Sequence, residues 1–92
     1  MVERKRDRLG VIYDILSTIQ AHNNSIKPTP LLRYSNLSSK SFADYFDELL
    51  NKKFVKVLFD SKDKKYITLT DKGFKYLAKY QTITNFISEF EL

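Results

Sequence analysis

Leu37-Ser38-Ser39-Lys40-Ser41-Phe42 and, further along the chain, Leu69-Thr70-Asp71-Lys72-Gly73-Phe74 share one pattern: Leu, a hydroxyl residue, three more residues, then Phe. Each predicts a helix start. Ser38 or Thr70 is the N-cap, its oxygen accepting from an early helical N–H. The Leu before each cap is placed to staple against the Phe at the fourth helical position. The stretch between the two copies is rich in lysine and in β-formers. The order is therefore capped helix, basic two-stranded ribbon, capped helix.

The ribbon is read from Phe54-Val55-Lys56-Val57-Leu58-Phe59, dominated by β-branched and aromatic residues, and from the alternating Lys65-Tyr66-Ile67-Thr68-Leu69. Asp60-Ser61-Lys62-Asp63-Lys64 joins them. It is too charged to be buried and has a length that hairpins use. On the helix that begins at Ser38, Phe42, Phe46, Leu49 and Leu50 define the inward face with Tyr45 at its margin, leaving Lys40, Asp44, Asp47 and Asn51 opposite.

Upstream, Leu9, Ile12, Ile15, Leu16 and Ile19 recur at the spacing of one buried helical face, which predicts a first helix from about Arg4 to Ala21. Gly10 lowers its local propensity by roughly 1 kcal/mol relative to Ala, so fraying or close packing is expected there. His22-Asn23-Asn24-Ser25 reads as a turn and Ile26-Lys27 as a very short strand. Thr29 ahead of Pro30 predicts the cap of a short second helix carrying Leu31, Leu32 and Tyr34, which Ser35-Asn36 interrupts. Two helices joined by so short a turn form a helix-turn-helix. The fold class is α+β: a winged helix-turn-helix of three helices and a two-stranded wing hairpin, with an additional C-terminal dimerisation helix. Residues 1–92 make a single domain, about 8–70 being the winged-helix core and 70–92 the C-terminal helix.

That last helix carries two apolar surfaces. Phe74 and Leu77 are expected to close the domain's own core. Tyr76, Tyr80, Ile83, Ile87 and Phe90 alternate in steps of four and three, a heptad seam that needs either helix one or another chain to cover it. Intramolecular packing is the plainer account of so short a seam. Dimerisation is preferred because Phe74 and Leu77 already supply domain-facing contacts.

Composition narrows the function classes. The net charge of +5 and pI near 9.5 favour a polyanionic partner. The absence of cysteine removes disulfide scaffolds, thiol nucleophiles and cysteine–zinc sites. The opening Met-Val-Glu-Arg-Lys-Arg-Asp-Arg precedes no apolar run, so neither a signal peptide nor a membrane span is expected, and a cytoplasmic, nucleoid-associated location fits. His22 is the single histidine and sits in a turn, and neither glycine belongs to a phosphate-cradling loop. Gly73 is better read as permitting close backbone packing. No catalysis, metal, cofactor or small-molecule substrate is assigned.

In a helix-turn-helix the start of the second helix enters the major groove, which makes Ser39, Lys40, Ser41, Ala43 and Asp44 the reading candidates. The serines suit phosphate or several base edges, Lys40 suits guanine or phosphate, and Asp44 suits a cytosine amino group. Asp44, Asp47 and Glu48 leave this helix without net positive charge, and a solvated acidic face is the preferred account of them. Lys62, Lys64 and Lys65 at the hairpin tip are placed to follow a phosphate backbone, or else to protect a strand edge. Arg4 and Arg6, with Lys5 and Arg8, form a basic arm able to reach a neighbouring groove, or a merely solubilising terminus. Lys27, Thr29 and Arg33, near or on helix two, are placed for phosphate positioning.

The run from Thr29 to Ser38, followed by Phe42, Tyr45 and Leu49 and then by Ile67-Thr68-Leu69-Thr70-Asp71-Lys72-Gly73, resembles archaeal winged-helix DNA-binding proteins. Among them are the ten-kilodalton crenarchaeal chromatin-type proteins and related small archaeal transcription regulators. The resemblance covers about Arg8 to Tyr80. It implies a sequence-specific or architectural binder of double-stranded DNA that dimerises through its C-terminal helix, although the last helix here is shorter than in the chromatin-type members. Two readings remain open: a dimeric DNA-binding transcription regulator or architectural protein, and a winged-helix interaction module whose basic wing binds an acidic protein.

Overall fold

Six elements carry the chain, in the order α1 (Arg8–Ala21), α2 (Pro28–Ser35), α3 (Ser39–Asn51), β1 (Val55–Phe59), β2 (Lys65–Leu69) and α4 (Asp71–Glu89). They are taken from a computed structural model that describes residues 6–92. Both expected caps form. Ser38 Oγ accepts from the Ser41 N–H at 3.1 Å, and Thr70 Oγ1 accepts from the Gly73 N–H at 3.2 Å while donating to the Lys53 carbonyl at 2.5 Å. The second hydroxyl thus ties the start of α4 to the turn that ends α3.

Helix α1 buries Val11, Ile12, Ile15, Leu16 and Ile19. Asp7 caps it, accepting from the Gly10 N–H at 2.7 Å. Leu9, expected in that buried face, is largely exposed and faces the cleft against α4 instead. The turn after α1 places Asn23 and Asn24 in the left-handed region, where asparagine is tolerated. Asn24 Oδ1 then accepts from the Leu69 N–H at 2.7 Å. The short strand is a single bridge: Ile26 and Ile67 exchange backbone hydrogen bonds of 3.2 and 2.8 Å, which lays the chain before α2 against β2.

Helix α2 starts two residues earlier than expected. Its N-cap is Lys27, which makes no side-chain capping bond, so Thr29 is inside the first turn and caps nothing. Pro28 and Pro30 both fit that turn because neither position requires an intrahelical N–H. Asn36 ends the helix in the left-handed conformation.

The wing pairs antiparallel in the register Val55 with Leu69, Val57 with Ile67 and Phe59 with Lys65. Val55, Ile67 and Leu69 are buried with Ile26, Leu31, Phe42, Leu49, Leu77 and the α1 residues in one core. Phe74 is not among them. It is 38% exposed, and Gly73 takes the inward place beside Leu77. A Cβ at Gly73 would run into the Phe54 carbonyl oxygen, so α4 begins pressed against the backbone ahead of β1. That approach turns Gly73, Tyr76, Leu77 and Tyr80 toward the domain and rotates Phe74 away.

Tyr76 and Tyr80 therefore belong to the domain-facing side. Tyr76 packs against the core and donates to the Leu9 carbonyl at 2.8 Å, and Tyr80 stacks on Tyr13. The heptad seam is divided. Its first half is covered by α1, whereas Ile83, Ile87 and Phe90 are exposed.

Candidate nucleic-acid interface

The outer surface of α3 begins at a capped N-terminus, where the helix dipole favours an anion. Ser39, Lys40, Ser41, Ala43, Asp44 and Asp47 are all exposed. The third acid behaves differently. Glu48 accepts a two-pronged pair from Arg8 at the start of α1, and its Oε2 also meets Lys52 Nζ at 2.7 Å. One of the three carboxylates that weaken α3 as a DNA helix is thus neutralised inside the domain. It also fastens α1 to α3, the kind of bidentate arginine–carboxylate contact that fixes orientation.

The same pairing changes the reading of the basic arm. Arg6 reaches Asp14 on α1 at 2.9 Å and the Ser35 carbonyl at the end of α2 at 2.9 Å. It bridges two helices and satisfies a terminal carbonyl rather than extending as a free arm. Arg4 and Lys5 lie outside the described residues.

On the wing, a single carboxylate organises the tip. Asp60 Oδ1 accepts from the Lys62 N–H at 2.8 Å and from the Lys64 N–H at 2.9 Å, while Asp63 takes the left-handed conformation. This Asx-type turn holds the backbone and leaves the ammonium groups of Lys62, Lys64 and Lys65 exposed. Lys56, which sequence reasoning did not single out, is exposed on β1 opposite Thr68. The alternation of Val55, Lys56 and Val57 carried that signal.

Helix α2 exposes Thr29 in its first turn and Arg33 in its last. Lys27 is exposed at its cap, with Nζ 5.9 Å from the centre of the Tyr66 ring, so it lies between the bridge and the wing. The elements bring Lys27 and the wing lysines to β2 and its hairpin, and bring Ser39, Lys40 and Asp44 to the start of α3.

A second surface lies on α4. Leu9, Phe54, Tyr76, Tyr80 and Ile83 floor an apolar cleft of about 280 Å³, rimmed by Lys72, Lys75 and Lys79. Lys72 Nζ sits 4.7 Å from the Phe54 ring centre and donates to the Lys52 carbonyl. Burial pushes the Tyr76 phenol up to about 12, with the neighbouring Tyr80 and Asp7 adding to the shift. No helix among the described residues is long and apolar enough to cross a membrane.

A helix-turn-helix followed by a two-stranded wing defines a winged helix, and the comparisons agree. The chain belongs to the winged helix-turn-helix family, whose model matches residues 5–88. An uncharacterised protein of Methanocaldococcus jannaschii is 31% identical over 83 residues, covering 90% of this chain and 36% of the relative. The chain thus spans about a third of the length of that curated relative. Sso10a-2, a DNA-binding protein from Sulfolobus solfataricus, superposes with a TM-score of 0.75 at 15% identity, over 94% of this chain and 86% of that one. MepR, a transcription regulator of the Staphylococcus aureus multidrug efflux pump MepA, gives 0.76 at 17% identity over 87% and 60%. The PcaV transcriptional regulator from Streptomyces coelicolor gives 0.75 at 15% identity over 98% and 65%. These structural likenesses concern the fold.

Proposed function

We propose that this chain is a dimeric DNA-binding transcription regulator that contacts duplex DNA through the outer surface of α3 and through the lysine wing. The observation that carries the reading is the distribution of partners among the charges. Arg6 and Arg8 are paired with Asp14 and Glu48 within the domain, whereas Lys40 on α3 and Lys62, Lys64 and Lys65 on the hairpin are exposed. Sso10a-2, which shares the fold, is a DNA-binding protein. Lys62, Lys64 and Lys65 contact phosphates, Lys40 and Asp44 read bases, and Lys27, Thr29 and Arg33 position the duplex.

Ile83, Ile87 and Phe90 are the dimer contact. Charge supports an antiparallel meeting of two α4 helices: the first half of α4 carries Lys72, Lys75 and Lys79, while the segment around Phe90 carries Glu89 and Glu91. A two-fold axis places the acidic apolar end of each helix over the lysine-rimmed cleft of the other, the self-complementarity that such an axis requires.

Selection of bound duplexes from a random pool tests the reading. It should enrich two symmetric half-sites about one helical turn apart, or a multiple of it. Retention without enrichment indicates a non-specific architectural binder. No retention favours the interaction module, for which the exposed Asp44 and Asp47 on α3 are the supporting observation.

A further inference from the structure

The outer end of the wing is apolar. Along β1, burial falls from Val55, fully within the core, to Leu58 at 49% exposed and Phe59 at 62% exposed. The register puts Phe59 opposite Lys65 and Leu58 opposite Tyr66. Directly opposed residues of an antiparallel pair share a face, so Phe59 projects with Lys65 from one face and Leu58 with Tyr66 from the other. The consecutive pair therefore makes the end of the hairpin apolar on both sides.

Exposed apolar residues at an open strand end invite unwanted pairing, and their position here calls for a partner. The surroundings define its charge. Lys56, Lys62, Lys64 and Lys65 flank the pair, against the two carboxylates Asp60 and Asp63. Asp60 Oδ1 is already bound by two backbone N–H groups of the turn, which stiffens the tip and draws that charge inward. A polyanion with an apolar floor between its charges matches this surface. The minor groove of duplex DNA offers this at a base step that opens: phosphates on both rims and, between partly unstacked base pairs, apolar base faces against which apolar side chains can wedge.

We infer that Phe59, supported by Leu58, is a wedge that enters the minor groove at a base step and bends the duplex, while the flanking lysines hold the phosphates on either side. The inference rests on the DNA-binding reading above. It adds a kink localised at one base step to the phosphate contacts. Proteins that insert such wedges kink DNA by roughly 20–90° and favour steps that unstack easily.

The chain contains no tryptophan, so Phe59→Trp installs a single fluorescent reporter at the tip. Saturating duplex should quench this reporter and shield it several-fold from acrylamide. With wild-type protein, end-to-end energy transfer on a doubly labelled duplex should report a bend, and a mismatched or flexible step should bind several-fold more tightly than a rigid one. Leu58→Ala/Phe59→Ala should lose both the bend and that preference while keeping the salt dependence of binding. A reporter as accessible in the saturated complex as in free protein, or a double variant that bends DNA as the wild type does, overturns the wedge alone. Wild-type protein that shows no salt-dependent DNA binding overturns the wedge and the DNA reading together. Shielding of the reporter without DNA, growing with protein concentration, assigns the tip to a contact between copies and also overturns it.

Discussion

The ring of Tyr80 is stacked on that of Tyr13, with centroids 4.4 Å apart and planes 23° from parallel. It is the outermost aromatic contact between α4 and α1, and beside it the Tyr13 hydroxyl donates to Gln81 Oε1 at 3.0 Å. Beyond it the apolar side chains of α4, Ile83, Phe86, Ile87 and Phe90, are exposed. The stack therefore divides residues that serve folding from residues free to meet a second chain.

Tyr80→Ala should destabilise the domain by about 1–2 kcal/mol, the worth of an aromatic pair together with its lost burial. Ile83→Ala, at a side chain 56% exposed, should cost less than about 0.5 kcal/mol at dilutions where no dimer forms. Urea unfolding at micromolar protein checks the contrast.

The two glycines should respond differently to alanine. At Gly73 a Cβ meets the Phe54 backbone oxygen, which cannot step aside, so Gly73→Ala should cost about 1–3 kcal/mol or more. At Gly10 the Cβ would come 3.0 Å from Asp7 Oδ1, the cap oxygen, which has to give by only a few tenths of an ångström and can do so without leaving the Gly10 N–H that it accepts from at 2.7 Å. There the gain in helix propensity of about 1 kcal/mol offsets the crowding, and the change should be nearly neutral. Thermal unfolding of both variants measures the difference.

Tyr76 gives the fold an alkaline limit. Its phenol is held neutral up to about 12 in the folded state but ionises near its ordinary value of 10 when unfolded. The folded state thus keeps a proton that the unfolded chain has released. The associated stability is fully present below pH 10 and is lost as pH rises from 10 through 12. Urea midpoints across that range should fall, and Tyr76→Phe should flatten the fall while losing the hydrogen bond to the Leu9 carbonyl.

Ile83→Glu/Ile87→Glu should yield a folded monomer in sedimentation equilibrium, because both side chains are exposed within a single chain. Charge then tests the direction of pairing. Lys75→Glu/Lys79→Glu should weaken the dimer, and adding Glu89→Lys/Glu91→Lys to the same chain should restore it. A dimer indifferent to all of these changes places the contact elsewhere.

Local chemistry was readable in advance where it depends on neighbours in sequence. Ser38 and Thr70 cap as their spacing requires, Asn36 ends α2, and the charged Asp60–Lys64 stretch turns the wing. Expectations failed where a distant element decides. Period alone groups Tyr76 with Ile83, but only the approach of α1 covers one and leaves the other bare. Phe74 lost its inward place to Gly73 because the Phe54 backbone comes close enough to exclude any side chain. Arg6 and Arg8 read as a loose basic arm until Asp14, Ser35 and Glu48 are brought beside them. Thr29 is displaced as a cap because Pro28, two residues after Ile26, already suits the first helical position.

The most direct test of the central claim is the affinity for a duplex of fixed sequence measured as salt is raised. A protein that neutralises phosphates through its wing should show log K falling linearly with log salt, by about 0.9 for each phosphate contacted. Replacing Lys62, Lys64 and Lys65 by Ala should reduce that slope by about two to three and weaken binding to all sequences alike. Binding that is micromolar or weaker at low salt and flat as salt rises would contradict the account.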